Sequence, residues 1–334
     1  MTLLHAFHFD AGVAPPDLVT NGTFDTAVKR TGSRSVKLYG VSEFGVYAYC
    51  PLATPISEVY IQFGFYYGPG GLSYPQFFRW ADSAGNVLGG LRLNPSTLKI
   101  EVYTGNFATL VATGTAVLAA NTWYVIEAHI VIGDAGSITV RSDLTEDSVF
   151  IGDTKPGAGT EISYVTWGCC YSAVFYFDDI VIHDTNGDVN NSWPDGARVY
   201  YMVPTGDGAT KDWTPSTGTS HYALVDEVPP SATDNLQATA NDKVDILTFP
   251  DLPGDAQSVR AVIPQVYAFK GSSTAPTRLA LGIDIAGEGV EYSADKDLGL
   301  AQGQVQNLLE ERPGGGAFSV ADISGLSLYL KSAA

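Results

Sequence analysis

The amino-acid sequence predicts an all-β chain of two successive β-sandwiches. Three observations lead there. Apolar and polar residues alternate with a period of two in several segments of the first 185 residues, the pattern of half-buried strands. Gly 36, Pro 18, Tyr 18 and Phe 15 give a composition of short strands joined by tight turns. No long helical period occurs, and 334 residues exceed one comfortable core, so two domains are expected.

The strands follow in order. Phe7 to Asp10 opens the set, and Thr31 to Leu38 is a turn running into a strand. Val59, Ile61, Phe63, Phe65 and Tyr67 line one face of a long strand. Phe77 to Trp80 precedes the turn Asp82 to Asn86 and a strand through Leu91 to Leu93. Leu98, Ile100 and Val102 alternate with Lys99, Glu101 and Tyr103. From Trp123 to Ile132, Tyr124, Ile126, Ala128, Ile130 and Ile132 share one face, opposite Glu127 and His129. Trp123, which begins this strand, is expected to anchor the core. Asp134 to Gly136 makes a turn, and Ile138 and Val140 continue into the next strand. Val174 to His183 is apolar on both faces, the mark of a central strand, yet it contains Asp178 and Asp179. Evenly spaced strands with turn signals point to a sandwich or jelly roll.

Asn121-Thr122-Trp123-Tyr124, then Gly136 to Val140, then Phe177-Asp178-Asp179-Ile180 form an ordered series. It resembles the concanavalin- or laminin-G-like jelly roll, and the resemblance covers residues 1–185. Residues 186–334 are expected to form a smaller second sandwich. After the polar turn at Asp184 to Asn191, a short strand is expected at Arg198 to Pro204, followed by ordered loops carrying Trp213, Tyr222 and Val225. Strands resume at Val244 to Phe249, Val259 to Lys270, Arg278 to Ile285 and Leu326 to Lys331. Pro264 requires an edge or a bulge within the second of these. Ser319 is placed to cap a helical turn over Val320 to Ile323, with Asp322 at the fourth position.

A second series runs through Asp184, Thr185, Gly187, Asn190, Asn191, Arg198 and Val199. It continues to Trp213-Thr214-Pro215-Ser216 and Tyr222 to Glu227, and ends near Glu310 to Pro313 and Phe318 to Ile323. This string resembles a family of tailed-phage virion structural proteins that place a concanavalin-like jelly roll ahead of such a module. The family's usual Trp before the terminal cap is Phe318 here. The resemblance implies a virion component assembled in the host cytoplasm, a head or tail accessory whose partners are other virion proteins and copies of itself.

Composition bounds the alternatives. A net charge of −18 disfavours nucleic acid and anionic membranes as partners. No apolar run reaches the ~18 residues of a membrane span, and no basic residue precedes Lys29, as expected of a chain that folds in a cytosol. Cys50, Cys169 and Cys170, odd in number with one adjacent pair, read as reduced and buried.

Candidate chemistry is sparse. Asp178 and Asp179 could hold calcium, with Asp10 or Asp25 completing the site, or could accept backbone N–H bonds where the sheets meet. Asp184, Asn186, Asp188 and Asp195 imitate a calcium loop, but Val189 stands where glycine is needed. Glu127 and His129 could serve as acid and base, or lie on an exposed face. No nucleophile elbow, zinc-binding pair or phosphate loop is present in the sequence. The aromatics Tyr66, Tyr67, Tyr74, Phe77, Phe78 and Trp80 crowd one region, and core, interface and glycan-binding roles are all open to them. Within this reading Tyr66, Tyr67, Tyr74 and Trp80 are the ligand or interface candidates. The expectation is a non-enzymatic virion protein acting through protein contacts. The alternatives are a lectin-like module for host glycan and, behind it, a polysaccharide hydrolase.

Overall fold

A computed structural model describes residues 3–15, 17–40, 46–68, 75–157, 159–169, 173–231, 233–271, 276–285 and 288–334. The chain is all-β and divides into two compact units, Met1–Tyr201 and Met202–Ala334.

Among the described residues the first unit has fifteen strands: β1 Leu3–Phe7, β2 Val19–Thr20, β3 Thr23–Asp25, β4 Ser35–Tyr39, β5 Val46–Ile56, β6 Glu58–Tyr67, β7 Gln76–Ala81 and β8 Val87–Leu93. They continue as β9 Ile100–Thr104, β10 Thr109–Thr113, β11 Trp123–Val131, β12 Gly136–Ser142, β13 Thr145–Gly152, β14 Ile162–Cys169 and β15 Val174–His183. Two antiparallel sheets result. The first runs β13-β12-β11-β6-β15-β4-β3, with β1 also on β15; the second runs β10-β9-β8-β7-β14-β5-β2. This is the expected two-sheet jelly roll. β15 is central, as its two apolar faces predict, pairing with β6, β4 and β1.

The alternation explains the core. Val59, Ile61, Phe63 and Phe65 of β6 and Ile126, Ala128 and Ile130 of β11 point inward and are fully buried. They meet Phe77, Phe78, Trp80 and Trp167 of the second sheet in one continuous cluster. Phe63 lies 5.2 Å from Phe78 and 6.0 Å from Trp167, ring centroid to centroid, within the range of favourable aromatic pairs.

Residues 186–201 pack with the first unit, although their composition suggested the second. The strand expected at Arg198 to Pro204 does not form. The segment is irregular because its polar groups bond to side chains of the first sheet's outer face, not to a neighbouring strand.

The second unit is a smaller sandwich. Gly206–Lys211, Val244–Thr248, Ser327–Ala333, Arg278–Asp284 and Val290–Tyr292 pair in that order, with Lys296–Asp297 also on the fourth. The ribbon Gln265–Ala268 with Gly303–Gln306 covers one face, bringing Val266 and Val305 against Leu247, Leu281 and Leu330. The ribbon begins after Pro264, because the residue without an N–H cannot join the ladder. Ser319 caps the turn Val320–Ile323 as expected, and Asp322 returns the bond to the Ser319 N–H.

Candidate functional site

The outward residues of the first sheet fall into cross-strand rows. Trp123 lies opposite Tyr66, Tyr66 opposite Tyr176, and Tyr176 opposite Lys37. At about 4.8 Å per strand these four side chains form one band across β11, β6, β15 and β4. Trp123 and Tyr66 are half-exposed, with centroids 5.4 Å apart and planes at 48°. Tyr176 is buried between its neighbours, edge-on to Tyr66 at 5.3 Å, with the Lys37 ammonium 5.6 Å over its ring. The exposed Asn121 and Thr122 form a polar rim, and the Tyr66 hydroxyl donates to Asn121 Oδ1 at 3.2 Å.

Trp123 is therefore not the core anchor expected of it. The register that buries Ile126, Ala128 and Ile130 and packs Tyr124 against them turns Trp123 to the outer face with Glu127 and His129. Gly64 sits beside it. A Cβ there would lie 2.8 Å from Arg30 Cδ and 3.4 Å from Trp123 Cζ3, so glycine lets the arginine stem cross β6 next to the indole.

The other half of this face is covered by residues 186–201, which act as a strap. Trp193 packs edge-on to Tyr60 and His129, with the Arg141 guanidinium 4.7 Å over its ring. Gln62 Nε2 donates to Ala197 O at 2.7 Å, and Val199 N donates to Asp179 Oδ1 at 2.8 Å. His183 Nδ1 lies 3.0 Å from Ser192 O, and Tyr201 stacks on His8 at 4.5 Å.

The strap decides the fate of Glu127 and His129. Neither lies on an open face. Glu127 is fully buried, 3.1 Å from Arg141 Nη1, and burial pushes its carboxyl up against the opposing pull of that arginine. His129 stacks on Tyr60 at 4.0 Å and meets Glu58 at 2.8 Å.

Asp178 and Asp179 are buried at a bulge in β15, where Asp179 takes φ 49°. Asp178 Oδ2 accepts from the N–H groups of Arg30 and Thr31, at 3.0 and 3.1 Å, and Oδ1 accepts from Asp179 N. Asp179 Oδ2 accepts from the Arg30 guanidinium and, at 2.8 Å, from the Thr31 hydroxyl. Burial and the adjacent Asp179 charge push the Asp178 carboxyl up to about 7.

These residues do not fit the calcium considered for them. Every carboxylate oxygen of the pair already takes a protein donor, and one cationic partner, Arg30, is in place. Calcium would need six to eight oxygens free of such donors. Asp10 binds the loop at Ser33 and Arg34 instead, and Asp25 binds Ala27 N and Val28 N. Among the described residues no three His, Cys, Asp or Glu side chains converge. The imitation calcium loop is also dispersed, since Asp184 holds Asn186 while Asp195 pairs with Arg141 at 3.0 Å.

The remaining candidates divide by face. Tyr67 is buried, its hydroxyl donating to Leu118 O at 3.0 Å, and Trp80 is fully buried in the core. Both are therefore corrected from ligand or interface residues to packing residues. Tyr74 and Cys170 lie outside the described residues. Cys50 is buried and unpaired, and burial raises its thiol pKa. In the second unit His221 and Asp245, 2.8 Å apart and both buried, tie a loop to an inner strand; no motif marked them.

No family model matches the chain, and no curated protein matches it. Among solved structures it is similar to a cellulose-induced protein, Cip1, at 18% identity and a TM-score of 0.41, over 53% of this chain and 96% of that one. It is similar to the carbohydrate binding module CBM66 from Bacillus subtilis at 12% identity and a TM-score of 0.35, over 50% and 96%. A Bacillus subtilis protein with a galectin-like fold matches at 12% identity and a TM-score of 0.39, over 55% and 98%.

Proposed function

We propose that this protein is a non-catalytic glycan-binding protein whose platform is the strap-free half of the first sheet's outer face. The observation that carries the reading is the Trp123–Tyr66 pair. It presents two half-exposed rings 5.4 Å apart, beside Asn121 and Thr122. Aromatic faces take the apolar C–H faces of sugar rings, and polar rim groups meet the hydroxyls. Tyr176, itself under Lys37, flanks Tyr66, and the Arg30 stem over Gly64 lies beside Trp123. The platform is thus fixed before a ligand arrives, which lowers the ordering cost of binding. The possible acid and base, Glu127 and His129, are engaged beneath the strap, so they support no hydrolytic role.

The setting we propose follows the residue string Asp184 to Glu227. On that resemblance the protein is a tailed-phage virion component, with the jelly roll presented for adhesion and the second unit docking to other particle proteins. The string's first part serves as the strap: Val199 gives its N–H to Asp179 of the sheet, and the Asn191 amide closes the turn onto Gly187 O.

The test is a glycan array probed with the full chain and with Trp123→Ala and Tyr66→Ala. The reading expects binding by the parent and loss of it in both variants with folding retained. A parent chain that binds no glycan, or variants that bind as the parent does, would remove it. Inventory of purified particles by mass spectrometry tests the setting separately.

A further inference from the structure

The two sides of the jelly roll treat their sheet edges differently. On one side the edges are β3 and β2, of three and two residues, and Asp25 and Lys37 stand beside them. Short, charged edges resist pairing with another strand. On the other side the edges are β13 and β10, of eight and five residues. β10 reads Thr-Leu-Val-Ala-Thr and carries no charge. β13 carries Glu146 and Asp147 only near its start, and Asp147 is turned onto the N–H groups of Thr115 and Ala116. From Ser148 to Gly152 the edge has neither charge nor proline.

More of the unit's exposed large apolar side chains lie on that same side than on the other, where Val19 and Tyr39 are exposed. Ile151 is 76% exposed and Val117 60%, and Leu110, Leu144 and Val149 are exposed with them. An edge with an uncharged, proline-free segment flanked by open apolar side chains is a template for strand addition.

We infer that this side is an interface between two copies of the chain, joined by antiparallel pairing of their β13 edges over residues 148–152. The second copy is favoured on two grounds. An antiparallel pair about Phe150 is self-complementary: Val149 of one copy faces Ile151 of the other, and the reverse, while both Asp147 side chains stay outside the ladder. A partner drawn by the chain's net charge of −18 would be basic and would seek carboxylates, which this segment lacks. The apolar side chains around the ladder extend the contact toward the ~1,000 Å² that a stable pair requires.

The charge also sets a signature. Two copies at −18 repel, so screening should strengthen the pair, whereas it would weaken a contact made by opposite charges. The experiment is sedimentation velocity on the full chain at 50 mM and 500 mM salt, with Val149→Lys/Ile151→Lys and, as a control on the other edge, Val19→Lys. The inference expects a dimer that strengthens with salt in the parent and in the control, and a monomer in the double variant. A parent that stays monomeric at high salt and high concentration would overturn it. So would a double variant that dimerises as the parent does. Hydrogen exchange on the parent chain serves if the double variant fails to fold. Amides within 148–152 should slow as concentration rises, and concentration-independent exchange there would equally refute the pairing.

Discussion

The backbone N–H of Val199 donates to Asp179 across the outer face of the first sheet, at 2.8 Å. Through this bond a buried carboxylate in the central strand holds a strap that arrives from twenty residues further along the chain. The same carboxylate takes the Arg30 guanidinium and the Thr31 hydroxyl, so loop, strand and strap share one anchor.

Asp179→Ala should therefore be costly. It leaves Arg30 uncompensated and removes acceptors from Thr31 and Val199. Breaking a buried pair by deleting one partner costs about 3–5 kcal/mol. Chemical denaturation of the first unit should show a loss of that order. A loss within experimental error would show that the anchor is not bearing the strap.

Asp178 gives a pH dependence of the opposite sense to an exposed ion pair. Its folded carboxyl is raised to about 7 by burial and by the Asp179 charge, well above the range of an unfolded aspartate. A raised folded pKa means that the native state binds the proton more tightly. Asp178 thus contributes stability that is fully present below the unfolded value and lost as pH rises through about 7. Thermal melts at pH 5 and pH 8 should differ less in Asp178→Asn than in the parent, whatever the variant's absolute stability. An identical pH dependence in the two would contradict the assignment.

Trp193→Ala should loosen the strap without opening the core. The ring packs on Tyr60, His129 and Arg141 but is half-exposed, so the cost should fall within the ordinary range of about 0.5–3 kcal/mol. Proteolysis or hydrogen exchange should rise in residues 186–201 while the core strands stay protected. Unchanged exchange in that segment would argue that its hydrogen bonds hold it without the indole.

The two corrected aromatics make a matched pair of stability tests. Trp80→Ala empties a core position and should cost about 3–5 kcal/mol. Tyr67→Phe removes only the bond to Leu118 O and should cost about 0.5–1.5 kcal/mol. Neither should alter ligand affinity while the fold persists.

The inward faces were legible because each strand's own alternation declares them. Val59 to Phe65 and Tyr124 to Ile130 needed no partner to be read. The platform was not legible, because it joins Trp123, Tyr66, Tyr176 and Lys37 from four strands, and only pairing aligns them. The alternation did contain a warning about Trp123, which stands one residue out of phase with the apolar set at Tyr124, Ile126 and Ala128. Crowding in sequence misled for Tyr67 and Trp80, since aromatics close along the chain divide between opposite faces of a strand. The strap left no periodic signal. Its order comes from bonds to Gln62, Glu127 and Asp179, which are distant in sequence and are themselves placed only when the sheet forms.

The function proposed above makes Trp123 and Tyr66 a ligand platform and not part of the core. Its most direct test is calorimetric titration of the best glycan from an array into the parent and into Trp123→Ala, with a thermal melt of each. Trp123→Ala should abolish the binding heat and leave the melt close to that of the parent. A variant that binds unchanged, or whose melt collapses as a core deletion would, contradicts it.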